Sequence, residues 1–580
     1  MRKKSSSSGS VRPLLLALAS FPLVVAVARG DERASPRAAG RPGPAPVLTS
    51  SRGVVVSAAP EASQAGAEVL AAGGNAMDAA LATAFALAVV YPQAGNLAGG
   101  GFLVVRTPDG VVRALDFRET APAGATREMF LGPDGRPVNG SSTETMLAVA
   151  TPGSVRGYAE AHRLLGRLPW ARVVAPAERL AREGFVVPEG LSRDLEEERR
   201  LLTRWEETRR LLFPRGRPLA PGARLVQPEL AETLARIGRD GPDALHRGEI
   251  AARIAAYVRA HGGVLAEGDL EGYAPVWRAP DEIRFGDLVV HTMPLPSSAG
   301  LVFRSVLAQL EVARGTGPFR PDAAGYHLLL EAERRAYADR NRWLGDADCV
   351  EVPLKELLAP EHLSRHGGSI DPGRATPSAS IPGGLPRERE ETTHLSAATP
   401  DGFAVSLTTT LNGSFGNGAI VPGTGVLLNN EMDDFAAAPG TPNLYGLVQG
   451  SANAVRAGAR PLSSMAPAIV ERAGRPLLVV GSPGGSTIPT TVLQVLLRVA
   501  AGEDLASAVA APRLHHQHTP DVVFFERGRE ASEVLEGLRR RGHVPRERSP
   551  IGKVHAVVFA PDGRLVGAAD PRGYGASAAP

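Results

Sequence analysis

Cysteine is nearly absent from this chain: Cys349 is the only one among 580 residues. An intramolecular disulfide is therefore excluded, and stability must come from packing. Its place far from the N-terminus also rules out a lipid-anchored cysteine heading a processed chain, and Cys349 reads as a small buried apolar residue. An excess of charge of one sign is missing as well. The formal net charge is +3, but Arg2, Lys3, Lys4 and Arg12 lie in the first 28 residues without a single acid, so subtracting those four leaves −1. A near-neutral chain of mixed charges has no electrostatic footprint for nucleic acid. The apolar run Leu14 to Val27 is shorter than the roughly 20 residues that a spanning helix needs, and Ser20 and Pro22 interrupt it. With a basic start before it and Ala26-Val27-Ala28 at its end, it reads as a secretory signal over residues 1–28, which implies a periplasmic or secreted product with no stable membrane span.

A hydrophobic content of 43% with 22% charged residues specifies a large buried core rather than disorder. No long central linker divides the chain, so one large unit and two interleaved units are both allowed. Residues 29–50, rich in Ala, Pro, Arg and Gly, read as a flexible leader before a fold that begins at Val54. Val54-Val55-Val56 reads as a buried strand. An alanine-rich helix follows from about Glu61 to Ala72 and ends at Gly73-Gly74. Asn75, with Asp78 three residues on, caps a second helix that is apolar on most faces and stops before Pro92. Asp109-Gly110 marks a hairpin between Phe102–Arg106 and Val111–Asp116.

Residues 155–365 read as mainly helical, with periodic stretches at Asp194–Leu212 and Asp322–Trp343. From His366 to Glu391 the periodicity vanishes into Gly, Pro and Ser, which predicts a loop. A second hairpin begins directly after it, Thr393–Ala398 and Phe403–Leu411 around Thr399-Pro400-Asp401-Gly402. Further strand signals fall at Ala468–Val470, Leu477–Val480 and His555–Phe559. Layers of helix around antiparallel sheet are the economical α+β architecture.

Gly99-Gly100-Gly101 permits close backbone approach but lacks the Lys-Ser/Thr of a phosphate loop, so it reads as structural. Ser482-Pro483-Gly484-Gly485-Ser486 follows a strand and precedes a helix starting near Thr490, which sets free backbone N–H groups at a helix entrance suited to an oxyanion or carboxylate. His515, His516 and His518 invite a zinc reading, but no paired-cysteine or HExxH spacing accompanies them, and hydrogen-bonded histidines are the better account. No metal site and no cofactor is assigned. Glu391-Thr392-Thr393-His394 places hydroxyl and imidazole groups where a loop meets a strand, although threonines at a strand start are common for reasons of β propensity alone.

Taken together, these segments resemble the gamma-glutamyltransferase family of N-terminal-nucleophile hydrolases. The resemblance runs from about Val54 to Arg572 through ordered blocks. They include Gly73–Ala80, Pro92–Leu97, Asp116–Pro122, Tyr337–Arg340, Thr392–His394, Leu428–Phe435, Arg460–Met465 and Gly481–Ser486. It implies a four-layer αββα sandwich formed jointly by a large subunit, residues 51–391, and a small subunit, residues 392–580, intertwined after self-cleavage between Glu391 and Thr392.

The resemblance also implies the chemistry. Thr392 attacks the Glu391 carbonyl, and the freed α-amine, with a reference pKa of about 7.7 to 8.0, acts as base toward its own hydroxyl. The donor is glutathione or another gamma-glutamyl amide, and the acceptor is water, an amino acid or a dipeptide. Gly484 and Gly485 hold the oxyanion, and Thr410 bonds the nucleophile. Arg118 grips the donor α-carboxylate with help from Ser463 and Ser464, while Asn412, Glu431 and Asp434 surround its α-ammonium. Position 431 is Glu where some members have Gln, and Gly413-Ser414 follows Asn412 where others have two threonines. Pro439–Gly450, with Tyr445, resembles a lid over the donor pocket. Three other readings stay open: a beta-lactam side-chain acylase, a poly-gamma-glutamate-processing enzyme, and an inert exported binding protein of the same fold.

Overall fold

Two seven-stranded sheets, antiparallel throughout, organise the chain in a computed structural model that describes residues 44–314, 317–381, 392–436, 450–529 and 532–580. Sheet I runs Val47–Ser50, Leu565–Ala569, His555–Phe559, Arg475–Gly481, Ala468–Arg472, Leu288–Thr292 and Asp281–Phe285 in spatial order. Sheet II runs Ala576–Ala578, Val54–Ser57, Thr393–Ala398, Ala404–Thr410, Gly100–Arg106, Val112–Asp116 and Val276–Arg278. Each sheet draws strands from both sides of residue 391, and Arg41–Pro580 forms one unit.

The two-residue period of a strand sorts its side chains between two cores. Val55, Leu103, Val105, Leu395 and Leu407 join the helices Pro60–Ala71 and Ala76–Val90 on one face of sheet II. Val54, Val56, Phe102 and Val104 point the other way, into a core shared with sheet I and with the helices Ala299–Arg314, Ala323–Trp343 and Ile488–Ala500 on its far side. The order of layers is helix, sheet, sheet, helix. Every residue of helix Ala76–Val90 is buried. Its first turn is closed by a reciprocal pair, in which the Asp78 N–H donates to Asn75 Oδ1 and the Asn75 N–H to Asp78 Oδ2, each at 3.0 Å.

Several sequence expectations need correction. The leader ends earlier than Ser50, because Val47–Ser50 is an edge strand paired with Leu565–Ala569. The helical reading of 155–365 missed the strands Val276–Arg278, Asp281–Phe285 and Leu288–Thr292, which are short; the first two are edge strands and the third lies one place in from the edge. Asp281–Phe285 does alternate exposed polar with buried apolar residues at Glu282-Ile283-Arg284-Phe285, a period-2 signal hidden among charged neighbours. Asp194–Leu212 is not one helix but parts of three, Glu189–Glu197, Arg199–Leu202 and Glu206–Leu212, broken at Glu198 and Trp205 where the backbone leaves helical angles. The loop expected from His366 starts later, since helix Pro360–Gly368 includes that residue. Cys349 is exposed rather than buried, in a turn whose N–H bonds the Asp346 carbonyl at 2.9 Å.

The triple glycine is structural in a specific way. Gly100 and Gly101 are the first residues of a strand paired with Ala404–Thr410. A Cβ on Gly99 would lie 2.1 Å from the Thr410 carbonyl oxygen and 2.5 Å from Asn96 Oδ1. Gly99→Ala therefore forces apart two elements that meet at Thr410. The expected outcome is a loss of about 1 to 3 kcal/mol, read as a lower urea midpoint with unchanged slope; an unaltered midpoint contradicts this packing.

Candidate active site

Register places the threonines. Thr393 pairs with Thr409 across the central ladder of sheet II, so Thr392, one residue outward, lies opposite Thr410. Both line one pocket, and Thr392 is 4% exposed. Thr410 Oγ1 accepts the Asn412 N–H at 2.8 Å. From the other side, Asn96 Nδ2 donates to the Thr410 carbonyl at 2.9 Å and to Thr409 Oγ1 at 3.0 Å. Asn412 turns the chain with φ of 74°, a left-handed angle that asparagine tolerates better than most residues.

The glycine loop forms another wall. Gly484 and Gly485 have φ of 137° and 52°, which L side chains rarely adopt, and they lead through the turn Gly485–Thr487 into helix Ile488–Ala500. Gly485, Ser486 and Ile488 line the pocket. Thr487 Oγ1 donates to the Gly484 carbonyl at 2.7 Å, and the Tyr337 hydroxyl donates to the Ser486 carbonyl. Behind the loop, Ser486 Oγ bonds Gln517 Oε1 at 2.7 Å, which His515 Nε2 also contacts at 2.8 Å. His515 Nδ1 meets Thr490 Oγ1 at 2.9 Å. His516 and His518 are likewise buried, with His518 Nε2 2.9 Å from the Ile381 carbonyl. Of the histidine cluster, His515 thus buttresses the glycine loop through hydrogen bonds, while His518 bonds the segment at Ile381.

Opposite the threonines lies a buried charge cluster. The Arg118 guanidinium forms an ion pair with Glu431 at 2.6 Å, is in contact with Asp434, and lies 3.7 Å from Glu119. Arg118 leaves the strand Val112–Asp116 in a fixed direction, because its N–H donates to Asp116 Oδ1 at 2.9 Å and its carbonyl accepts the Tyr273 hydroxyl at 2.8 Å. Asp116 is itself held by Arg278 at 2.9 Å. Asn429 Oδ1 accepts the Glu431 N–H at 3.0 Å, and the Asn412 amide donates to the Asn430 carbonyl at 3.0 Å. Ser463 Oγ accepts the Met465 N–H at 3.1 Å, and Ser464 Oγ accepts from Arg340 at 2.9 Å.

Three carboxyls around Arg118 cannot all ionise cheaply out of water. Burial pushes Glu119 up to about 7 against the pull of Arg118, and drives Glu431 well above the usual carboxylate range, with the adjoining Glu119 adding to the effect. Burial raises Asp434 too, opposed by Arg118.

The structure therefore gathers Thr392, Thr410, Gly485, Arg118, Asn412, Glu431, Asp434, Ser463 and Ser464 on one cavity, with Gly484 adjacent in the loop. Glu391 and Tyr445 lie outside the described residues. Two charged residues were given no role from sequence. Arg340, in the Tyr337–Arg340 block, lines the pocket and adds positive charge near Asp434. Glu119, next to Arg118, completes the carboxyl group of three. The arrangement offers a hydroxyl nucleophile at a strand head, backbone N–H groups beside it, and a polar pocket carrying both signs of charge.

A threonine at the head of a central strand between two antiparallel sheets, facing a glycine loop, defines the N-terminal-nucleophile hydrolase architecture. The chain aligns with a crystal structure of that kind, cephalosporin acylase from Bacillus halodurans, at a TM-score of 0.82 and 27% identity, covering 94% of this chain and 99% of the other. Residues 62–580 match the family described as Gamma-glutamyltranspeptidase. The chain is 43% identical over 525 residues to the glutathione hydrolase proenzyme of Escherichia coli (strain K12), covering 90% of each. It is 36% identical over 530 residues to the Acylase ACY 1 proenzyme of Pseudomonas sp. (strain SE83), covering 90% of this chain and 92% of that one. The chain belongs to the gamma-glutamyltranspeptidase family.

The raised carboxyl has a consequence for stability. Glu119 ordinarily loses its proton near 4.5 but keeps it to about 7 in the fold. Between those values the native state holds a proton that the unfolded state has released, so this contribution is full below 4.5 and is lost as pH rises toward 7. Urea midpoints measured across that interval should fall with pH in the unaltered protein and fall less steeply in Glu119→Gln; identical slopes contradict the assignment.

Proposed function

We propose that the protein is an exported gamma-glutamyltransferase and glutathione hydrolase that matures by cleaving itself between Glu391 and Thr392. The observation that carries this reading is one cavity holding Thr392, Thr410, Gly485 and the Arg118, Glu431 and Asp434 cluster. Cleavage makes Thr392 an N-terminal residue whose amine takes the proton of its own hydroxyl. Large and small subunits remain joined as one αββα sandwich, because both sheets interleave strands from the two segments.

In this mechanism Thr392 Oγ attacks the gamma-carbonyl of the donor. The Gly484 and Gly485 N–H groups meet the oxyanion, and the α-amine returns the proton to the departing amine. A gamma-glutamyl ester on Thr392 remains, which water or an amino acid or peptide amine then resolves. The donor's α-carboxylate binds Arg118, displacing an internal carboxyl, while Asp434 and Glu431 turn to its α-ammonium with Asn412. Ser463 and Ser464 complete the carboxylate contacts, with Arg340 supporting Ser464 at 2.9 Å. A lid over this pocket from Pro439–Gly450 belongs to the same reading. The likeness to cephalosporin acylase and to Acylase ACY 1 keeps a second reading in view, in which the pocket accepts an acyl group without an α-ammonium. The buried carboxyls Glu431 and Asp434 favour the ammonium.

The two readings part on one substrate pair, a gamma-glutamyl anilide and the matching glutaryl anilide, which lacks the amine. The expected preference for gamma-glutamyl is about 2 to 3 kcal/mol, roughly 30- to 150-fold in kcat/KM, and should shrink in Asp434→Asn. Equal or faster turnover of the glutaryl compound overturns the gamma-glutamyl assignment in favour of an acylase.

A further inference from the structure

Away from the pocket, helix Pro360–Gly368 presents His362 and His366 four residues apart on one face, toward Asp339 of helix Ala323–Trp343. His362 Nε2 lies 2.8 Å from Asp339 Oδ2, and His366 Nδ1 lies 4.0 Å from the same oxygen. One ligand atom from each of the three falls within 4.8 Å of the others. A hydrogen bond between helices accounts for Asp339 and His362. It leaves His366 unexplained, because its ring sits 4.2 Å from the His362 ring and its Nδ1, out of contact with solvent, has no hydrogen-bond partner among the described residues.

We propose that Asp339, His362 and His366 form a binding site for a divalent transition-metal ion of the zinc class, separate from the Thr392 pocket. Two imidazoles and one carboxylate are the donor set that such ions take, with water at the remaining position. A tetrahedral ion with bonds of about 2.0 to 2.1 Å needs donors about 3.3 Å apart. The separations of 2.8 and 4.0 Å from Asp339 Oδ2 bracket that value, and the two imidazole donors lie within 4.8 Å of each other, which leaves side-chain rotation to close the set. The backbone beneath them is fixed, since a Cβ on Gly367 would lie 2.7 Å from Val312 Cβ of the neighbouring helix. Side-chain exposures of 14% for Asp339, 20% for His362 and 19% for His366 give an ion a path in and room for water. Of the neighbouring cations Arg335 and Arg365, Arg335 is engaged with Glu331 at 2.8 Å.

Asp339 directly precedes Arg340, whose guanidinium reaches Ser464 in the pocket. The ion therefore ties helix Pro360–Gly368 to helix Ala323–Trp343, which carries Arg340. Its role is structural, and gamma-glutamyl or acyl chemistry at Thr392 does not depend on it.

Titration calorimetry of the chelator-stripped protein with Zn2+ tests the site. One ion per chain should bind and raise the unfolding temperature, and His362→Gln/His366→Gln should weaken binding on the order of 100-fold while hydrolysis of the donor is unchanged. If the double variant does not fold, the electron paramagnetic resonance spectrum of the unaltered protein with one equivalent of Cu2+ decides, and coupling to two nitrogens is expected. No stoichiometric Zn2+ binding, binding unchanged in the double variant, or a Cu2+ signal without nitrogen coupling overturns the proposal. Each of these outcomes is independent of whether the donor proves to be gamma-glutamyl or another acyl group.

Discussion

The antiparallel ladder between Thr393–Ala398 and Ala404–Thr410 is the constraint on which the rest depends. It lies third and fourth in a seven-stranded sheet and is buried on both faces, so its register is tightly specified: a slip by one residue would exchange the two cores. Asn96 clamps the outer end of this ladder at Thr409 and Thr410, and Gly99 leaves room for it. The position of Thr392 is a consequence of that register.

Around this ladder the protein concentrates groups that are costly to bury, and Arg118 offsets only part of that cost for the carboxyls around it. Arg118 is held among three carboxyls and directed by Asp116, which Arg278 steadies in turn. Desolvation alone would expel such a cluster from a core. Its retention beside a polar cavity fits a pocket built to receive a ligand bearing both charges, with internal pairs standing in for the ligand's own groups. The glycine loop is held in turn, its backbone fixed by Thr487, Tyr337 and the Gln517–His515 pair.

Much of this was legible from residues alone where the signal is local. The Asn75–Asp78 cap, the two hairpins and the strand-to-helix glycine loop are short-range patterns with short-range causes. The strands within Val276–Thr292 were not, because three segments of three to five residues are too short to show a period against helical neighbours. Nor did sequence reveal that Arg118 pairs with Glu431 and Asp434, since residues so distant along the chain meet only through the order of strands. Arg340 and Glu119 stood inside recognised blocks, yet their roles depend on which way helix Ala323–Trp343 and the turn after Val112–Asp116 face. His515 showed a reactive side chain whose work is support, and only its partners distinguish that from catalysis.

The central claim is that Thr392 becomes the first residue of a second chain. The denatured intact mass of the purified, unaltered protein tests this without assuming a substrate. Two masses that divide the sequence between Glu391 and Thr392 are predicted; a single uncut chain, or a cut at any other bond, would contradict the account.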